Sequence, residues 1–162
     1  MDATERGAWL EEAMTRWEGE LIRLCFACLG SRALAEEAVQ ETFLKAWRGL
    51  EHFRGQAQER TWLVRIAINT CKDMRRSAWF RHRQTTVPME DIPEAAVPFT
   101  PEEDAITRAV LRLPPRLREV VAVYCLQGLS AEKTAALLGI ARSTVFARLN
   151  KARAILRDEL ED

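Results

Sequence analysis

LSAEKTAALLGIARSTVFARLNKAR, residues Leu129 to Arg153, has the pattern of two short helices joined by a tight turn. Ser130 is a favourable N-cap for a helix that starts at Ala131, because its side-chain oxygen accepts hydrogen bonds from the free amides there. Gly139 ends that helix, since glycine adopts a positive φ without a steric penalty. A second helix follows with the apolar stripe Val145, Leu149, Ala152 and Leu156. The stretch therefore predicts a helix-turn-helix.

The face opposite this stripe is polar and basic. Its members are Ser143, Ala147 and Asn150, flanked by Arg142, Phe146, Arg148 and Lys151. Helices of this pattern enter the DNA major groove with their N-terminal turns, and nearby cations bind phosphates. An ordinary helical hairpin with a solvated basic face would give the same pattern. The motif alone leaves both interpretations open.

Composition places the chain among ordinary soluble proteins. Its 162 residues are 48% hydrophobic and 30% charged, which allows one domain or two small ones. No apolar run approaches the roughly 20 residues of a membrane span. The N-terminal sequence MDATERGAWLEE is too acidic for a signal peptide. We expect a cytoplasmic protein.

The sequence offers little for catalysis. The only histidines, His52 and His82, fall in a predicted loop and a basic tail, and no phosphate-binding glycine loop, nucleophile elbow or paired-carboxylate site is present. Cys25 and Cys28 form a C-x-x-C inside the apolar stretch LIRLCFACL, with no second such pair. Buried thiols that act as small hydrophobic side chains are the favoured interpretation. We expect no enzyme, no cofactor and no metal site.

Charge and proline divide the chain into two parts. The 24 basic and 24 acidic residues cancel, but residues 60–83 hold seven cations and one acid, whereas residues 84–104 hold six acids and no lysine or arginine. The first of these segments can present a basic surface to a polyanion. Residues 85–101 contain four prolines and no helical period, which indicates a linker. We predict an all-α fold of two small helical domains, 8–83 and 102–160, joined by a flexible acidic linker, 84–101.

Three motifs follow one another along the chain: AEEAVQETFLKAW at 35–47, FRGQAQERTWLVRIAINTCKDMRR at 53–76, and LPPRLREVVAVYCLQGLSAEKTAALLGIARSTVFARLNKAR at 113–153. In this order and spacing they resemble the extracytoplasmic-function (ECF) sigma factors of bacterial RNA polymerase, also called group IV sigma factors. The resemblance implies two helical domains on a flexible linker. It also implies core RNA polymerase and promoter DNA as partners, and a cognate anti-sigma factor as regulator.

Within this resemblance, the helix after Ser31 docks on the coiled-coil clamp helices of the largest polymerase subunit. The residues implied in that contact are Glu37, Gln40, Glu41, Phe43 and Leu44. A solvated helix face is the alternative that the residues alone would favour. Leu34 departs from the family pattern, in which an acidic or polar residue is usual. Helical periodicity predicts that the other side of this helix is buried, namely Ala35, Ala38, Val39, Phe43, Ala46, Trp47 and Leu50.

The loop from Phe53 to Thr61 matches the family segment that receives a base flipped from the non-template strand of the minus-ten element. Extruding a base costs roughly a few kcal/mol, which a shaped polar pocket must recover. The residues implied in minus-ten binding are Arg54, Gln56, Arg60, Trp62, Arg65, Asn69, Lys72, Asp73, Arg75 and Arg76. Trp62 has a second interpretation, because its spacing to Ile66 favours core packing over base stacking.

The helix-turn-helix corresponds to the family domain that reads the minus-thirty-five element as duplex. The residues implied in that contact are Arg142, Ser143, Thr144, Phe146, Ala147, Arg148, Lys151 and Arg153. Phe146 and Ala147 depart from the family, where lysine followed by serine is common. They either contact thymine methyl groups or belong to a surface that a regulator covers.

Two other functions fit parts of the sequence. A stand-alone helix-turn-helix regulator needs only residues 102–160, normally as a dimer on paired half-sites, and has no use for the Gln40–Glu41 face. A sigma-like decoy of an anti-sigma factor would carry a receiver domain, for which 162 residues leave no room.

The acidic linker has two interpretations. The resemblance implies that it threads the polymerase cleft, and the alternative is that it serves as a solubilising tether.

Overall fold

The computed structural model describes residues 2–53, 58–77 and 101–161, with the side chains of residues 101–104, 107 and 126 outside that description. The described residues form seven α-helices and no strand, which confirms the predicted all-α fold class for this part of the chain. The chain divides into two compact units, Met1–Pro93 and Glu94–Asp162. The predicted linker lies outside the described residues, except that Pro101 is the first residue of a helix.

The N-terminal unit contains three helices. They are α1 (Ala3–Leu29), α2 (Arg32–Gly49) and α3 (Glu59–Arg76), with a short 3-10 turn at Leu50–His52 after α2. Each helix packs against the other two. The largest fully buried side chains of this unit include Leu21, Leu24, Leu29, Leu63, Val64 and Ile68. Burial of one such side chain stabilises a fold by about 1.5–3 kcal/mol. These buried side chains therefore hold the three helices of the N-terminal unit together.

Local capping chemistry sets the ends of α1 and the start of α2. Asp2 and Glu5 form a capping box, in which each side chain accepts a hydrogen bond from the other's backbone amide, at 2.8 and 3.1 Å. Gly30 ends α1 in the left-handed region, with φ 72°. Ser31 then caps α2 by accepting from the Leu34 amide at 3.3 Å. The sharp turn between the two helices therefore follows from two consecutive residues, Gly30 and Ser31.

Three cysteine thiols meet in the core of the N-terminal unit. Cys25, Cys28 and Cys71 are buried, whereas Cys125 in the other unit is exposed. A hydrogen bond with the Cys25 thiol, together with burial, holds the pKa of Cys71 well above its usual value, although Cys28 acts in the opposite direction. A thiol with a raised pKa stays protonated and unreactive near neutral pH. All three thiols are buried, which for Cys25 and Cys28 agrees with the apolar surroundings of the C-x-x-C.

The C-terminal unit contains four helices. They are α4 (Pro101–Leu111), α5 (Pro115–Val121), α6 (Ala131–Leu138) and α7 (Arg142–Glu161). Every residue from 117 to 123 is buried, so α5 is the central helix of this unit. The buried Arg118 donates to the Leu111 carbonyl at 3.2 Å, where a cation suits the negative end of α4.

The end of α5 widens into a π-helical turn, Ala122–Leu126. Such turns are rare and usually occupy a single turn within or beside an α-helix. Gly128 follows with φ 65°, in the left-handed region that favours glycine. The chain then reaches Ser130 and the start of α6. The π turn and Gly128 together redirect the chain from the central helix into the helix-turn-helix.

Candidate nucleic-acid and docking surfaces

The turn between α6 and α7 is set by short-range contacts. The Ser130 side chain accepts from the Lys133 amide at 3.1 Å and so caps α6. Gly139 has φ 67°, and its amide donates to the Ala135 carbonyl. A residue with a side chain would pay about 1–2 kcal/mol for that backbone conformation. The predicted helix-turn-helix is therefore present, with serine and glycine at the predicted positions.

Burial divides α7 into an inner stripe and an outer face. Val145, Leu149 and Ala152 are 0%, 3% and 1% exposed, whereas Leu156 is half-buried. Because these residues fix the rotation of α7, the other residues turn outward. Exposed on the outer face are Arg142, Ser143, Phe146, Ala147, Asn150, Lys151 and Arg153, and Thr144 and Arg148 are half-buried. The structure thus brings the predicted minus-thirty-five residues onto one helix, most of them open to solvent.

The first turn of α7 holds a small chain of side-chain contacts. The Arg142 guanidinium lies 5.7 Å from the centre of the Phe146 ring, within the range of a cation–π interaction. An Arg142 nitrogen also lies 3.5 Å from a Glu132 carboxylate oxygen on α6. Phe146 itself is 42% exposed. Arg142 therefore contacts both Phe146 and Glu132 at the surface that is predicted to face DNA.

The predicted docking face of α2 is mostly open to solvent. Glu37 and Gln40 are exposed, Glu41 is half-buried, and Leu44 is 45% exposed. Phe43 differs from this group, because it is 4% exposed and packs in the core of the N-terminal unit. Its side chain therefore offers almost no surface for the direct contact that was predicted for it. An apolar leucine among polar side chains is a composition that suits a protein partner.

The prediction that Trp47 is buried is wrong, since the ring is 38% exposed. The Arg6 guanidinium lies 5.5 Å from the centre of the ring. Arg6 also donates to the Trp47 carbonyl at 3.4 Å and pairs with Glu51 at 3.2 Å. The start of α1 therefore covers the end of α2 with a polar contact where periodicity predicts core packing.

The predicted minus-ten residues on α3 form an outward strip. Arg65, Asn69, Asp73 and Arg76 are exposed, and Lys72 and Arg75 are half-buried. Asn69 and Asp73 lie one helical turn apart, so both project from the same side. The predicted residues Arg54 and Gln56 lie outside the described residues.

Lys45 connects α2 to this strip, a contact that the sequence did not reveal. Its ammonium group donates to the Thr70 hydroxyl at 3.1 Å and lies 3.8 Å from an Asp73 carboxylate oxygen. The Thr70 hydroxyl is buried and donates in turn to the Ile66 carbonyl at 2.8 Å. These groups line a shallow groove between α2 and α3, together with Glu37, Glu41, Met74 and Ser77. The two predicted surfaces therefore share one groove.

Arg60, one of the predicted minus-ten residues, is engaged inside the unit. Its guanidinium contacts a Glu20 carboxylate oxygen on α1 at 2.6 and 2.7 Å. One residue before it, Glu59 pairs with Arg16 at 3.7 Å and accepts from the Trp17 indole at 3.4 Å. The start of α3 is thus fastened to α1. A charge count along the sequence cannot reveal these partners, which lie about 40 residues away.

Trp62 stacks within the protein. Its ring lies 4.6 Å from the Phe53 ring with an interplanar angle of 22°, and 6.1 Å from the Trp9 ring. Phe53 and Trp62 stand on opposite sides of residues 54–57 in the sequence. This stack favours the packing interpretation of Trp62.

None of the helices in the described ranges is long and apolar enough to cross a membrane. Within residues 2–53, 58–77 and 101–161, no group of three or more histidine, cysteine, aspartate or glutamate side chains could hold a metal ion.

Two family models match the chain. Sigma-70 region 2 matches residues 13–81, which include α2 and α3, and sigma-70 region 4 matches residues 103–156, which include the helix-turn-helix. Together the two matches define the class of protein, a sigma-70-type factor of bacterial transcription.

Curated relatives narrow this class. The chain is 36% identical to the ECF RNA polymerase sigma factor SigM of Mycobacterium tuberculosis, over 90% of this chain and 74% of the relative. It is 34% identical to the ECF sigma factor SigL of the same species, over 99% of this chain and 90% of that relative. It is 30% identical to the ECF sigma-E factor of Haemophilus influenzae, over 81% of this chain and 77% of that relative. The chain belongs to the ECF family of RNA polymerase sigma factors. It is a transcription initiation factor, and its partners are core RNA polymerase and promoter DNA.

Two solved structures have the same fold. One is CnrH in complex with the cytosolic domain of CnrY, with a TM-score of 0.63, 24% identity, and coverage of 94% of this chain and 87% of the other. The second is the sigma factor RpoE in complex with the anti-sigma factor NepR from Bartonella quintana, with a TM-score of 0.71, 23% identity, and coverage of 93% and 96%.

Proposed function

We propose that the outer face of α7 binds the minus-thirty-five element in its major groove. The observation that carries this proposal is the burial of Val145, Leu149 and Ala152, which leaves Arg142 and Phe146 exposed at the start of the helix. An arginine near the N-terminus of such a helix can reach a guanine edge and discriminate by about 1–3 kcal/mol. A cation further along the helix lies closer to the phosphates, which fix register without reading sequence.

Promoter selection tests this assignment. With holoenzyme, Arg142→Ala should relax the preference at one base pair of the minus-thirty-five element. Lys151→Ala should weaken all promoters similarly and lower the salt slope of binding by about one unit. Arg157→Ala, at the exposed far end of α7, is the matched control and should leave the base preference unchanged. If the Arg142 variant selects the same sequences as the wild type, α7 does not read bases through this residue.

We further propose that α3 binds the melted minus-ten strand. Arg65, Asn69, Asp73 and Arg76 support this assignment, since they are exposed along one helix. Cations neutralise the strand, and the amide and carboxylate offer hydrogen bonds to an extruded base. Asn69→Ala should abolish open-complex formation, measured by permanganate reactivity, while duplex binding through the minus-thirty-five element persists. Unchanged opening by this variant overturns the base-pocket assignment.

The docking proposal concerns the α2 face of Glu37, Gln40, Glu41 and Leu44. Carboxylates, an amide and one exposed leucine suit a basic partner helix with an apolar contact. Gln40→Ala combined with Glu41→Ala should weaken competition for core polymerase while far-UV circular dichroism stays unchanged.

The control for this experiment removes acidic side chains from another helix. Glu11 and Glu12 are exposed on α1, and their double replacement by Ala should leave competition for core polymerase intact. If the Gln40–Glu41 variant competes as well as the wild type, α2 is not the docking helix.

Regulation by a cognate anti-sigma factor in the cytoplasm completes the proposal. Its support is the fold shared with RpoE, whose solved structure contains the anti-sigma factor NepR. A pull-down of the chain from its native host, followed by mass spectrometry, tests this point. Recovery of core polymerase without any inhibitor protein would remove the regulatory part and leave the initiation function in place.

A further inference from the structure

Phe146 is an exposed aromatic ring on a surface that is otherwise polar or small. Of the described large apolar side chains in the C-terminal unit, only Ile106, Phe146 and Leu160 are well exposed, at 52%, 42% and 49%. Phe146 is the one that lies in the first two turns of α7. Its exposed neighbours on that part of the helix include Ser143 and Ala147. Because both are small, the ring stands above them and an approaching surface can reach it.

The ring is also held in place. Arg142 lies 5.7 Å from its centre on one side, and Arg142 is itself held by Glu132 at 3.5 Å. A phenylalanine has only two side-chain torsions, so little freedom is lost when the ring meets a partner. One part of the ring is covered by a cation, and the remainder is open and apolar.

Duplex DNA offers very few partners for such a ring. Base faces are hidden in the stack, and the edges in the major groove present hydrogen-bond donors and acceptors. The exception is the C5 methyl group of thymine, which apolar side chains, phenylalanine among them, contact directly. A ring that lies in the groove beside Arg142 therefore gains from thymine and from no other base.

We propose that Phe146 is a specificity-determining residue that selects a thymine in the minus-thirty-five element by contact with its methyl group. This inference rests on the proposed function, in which α7 enters the major groove. It adds that one position of the minus-thirty-five element must be a thymine. Arg142 then binds beside that thymine, because the two side chains are in contact.

Uracil substitution tests this contact, since uracil differs from thymine only by the missing methyl group. The wild-type holoenzyme first selects its preferred duplex from a library randomised over the minus-thirty-five element. Each thymine of the selected element is then replaced by uracil in turn. At one position the wild type should bind about three- to tenfold more weakly, as expected for one lost buried methyl group.

The Phe146 variants make the test specific. Phe146→Ala should bind the thymine and uracil duplexes equally, because the partner of the methyl group is gone. Phe146→Leu should keep part of the difference, since it retains an apolar contact. Ile106→Ala, which removes another exposed apolar side chain from the same unit, should keep all of it.

Two results overturn the proposal and are distinguishable from failure of the proposed function. If no thymine is sensitive to uracil, or if the sensitivity survives in Phe146→Ala, the ring does not read a methyl group although α7 still binds DNA. Release of a co-purified inhibitor by Phe146→Ala in that second case would place the ring on a regulatory interface. If the wild-type holoenzyme selects no minus-thirty-five sequence at all, the proposed function of α7 fails as well.

Discussion

The same substitution, glycine to alanine, should have opposite effects at two positions of this chain. Gly139 adopts φ 67° at the end of α6, and a Cβ atom added there would meet no heavy atom within 4 Å. Gly19 lies within α1 and also has open space around it. Crowding by other parts of the fold is therefore excluded at both sites, and only the local backbone conformation distinguishes them.

The expected magnitudes follow from that conformation. At Gly139, alanine must adopt the left-handed region, which costs about 1–2 kcal/mol. In a domain of about 60–100 residues this lowers the unfolding temperature by roughly 4–16 °C. At Gly19, alanine in a helix interior is better than glycine by about 0.5–1 kcal/mol, and the unfolding temperature should rise by roughly 2–8 °C.

The positions of the tryptophans allow the two units to be followed separately. All five lie between Trp9 and Trp79, in the N-terminal unit, so tryptophan fluorescence reports its unfolding, whereas far-UV circular dichroism reports both units. Gly19→Ala should raise the unfolding temperature that is measured by fluorescence. Gly139→Ala should leave that temperature unchanged and lower only the unfolding temperature of the C-terminal unit, which dichroism detects and fluorescence does not. A Gly139→Ala protein as stable as the wild type would refute the argument that the turn requires glycine.

Four further predictions concern charge and thiol chemistry. Arg60→Ala should reduce the free energy of unfolding by less than about 1 kcal/mol, because its ion pair is partly exposed, and should leave the salt slope of single-strand binding by holoenzyme unchanged. Arg65→Ala should lower that slope by about 0.7 with no loss of stability, and equal slopes for Arg65→Ala and wild type would contradict this. Lys45→Met should lower the free energy of unfolding in urea by less than about 1 kcal/mol, because the Thr70 hydroxyl keeps its hydrogen bond to the Ile66 carbonyl. A loss of several kcal/mol would contradict this prediction. Cys125 should be labelled by iodoacetamide before the three buried cysteines, because it is the exposed one. Partial burial of its sulfur still raises the pKa of Cys125 above the usual value of a thiol, and only the thiolate reacts, so the labelling rate should keep rising well above neutral pH. A rate that levels off near neutral pH would contradict the raised pKa.

Features that depend on neighbouring residues could be predicted from the sequence. Ser130 and Gly139 delimit α6 because a cap needs only a side-chain oxygen or a permissive backbone a few residues away. The stripe of Val145 and Leu149 follows from the helical period alone. The fold class and the position of the helix-turn-helix are consequences of such local rules.

Features that depend on distant residues could not be predicted in this way. Trp47 has the spacing of a core residue, yet Arg6 from the start of α1 lies over it and leaves it partly exposed. Arg60 belongs to a basic segment, yet Glu20 occupies its guanidinium. In each case a tertiary contact, and not the local pattern, decides what the side chain can do.

The π turn at Ala122–Leu126 makes the length of this segment as important as its composition. An α-helix rotates by about 100° per residue, so one residue added or removed changes the direction in which every later side chain points. The wide turn accommodates its residues without breaking the buried run that ends at Val123. Deletion of one residue there would restore regular helical geometry but rotate Gly128 and Ser130 away from their present orientations. Insertions and deletions in this turn should therefore be tolerated less well than substitutions, because they change the angle at which the whole helix-turn-helix leaves the central helix.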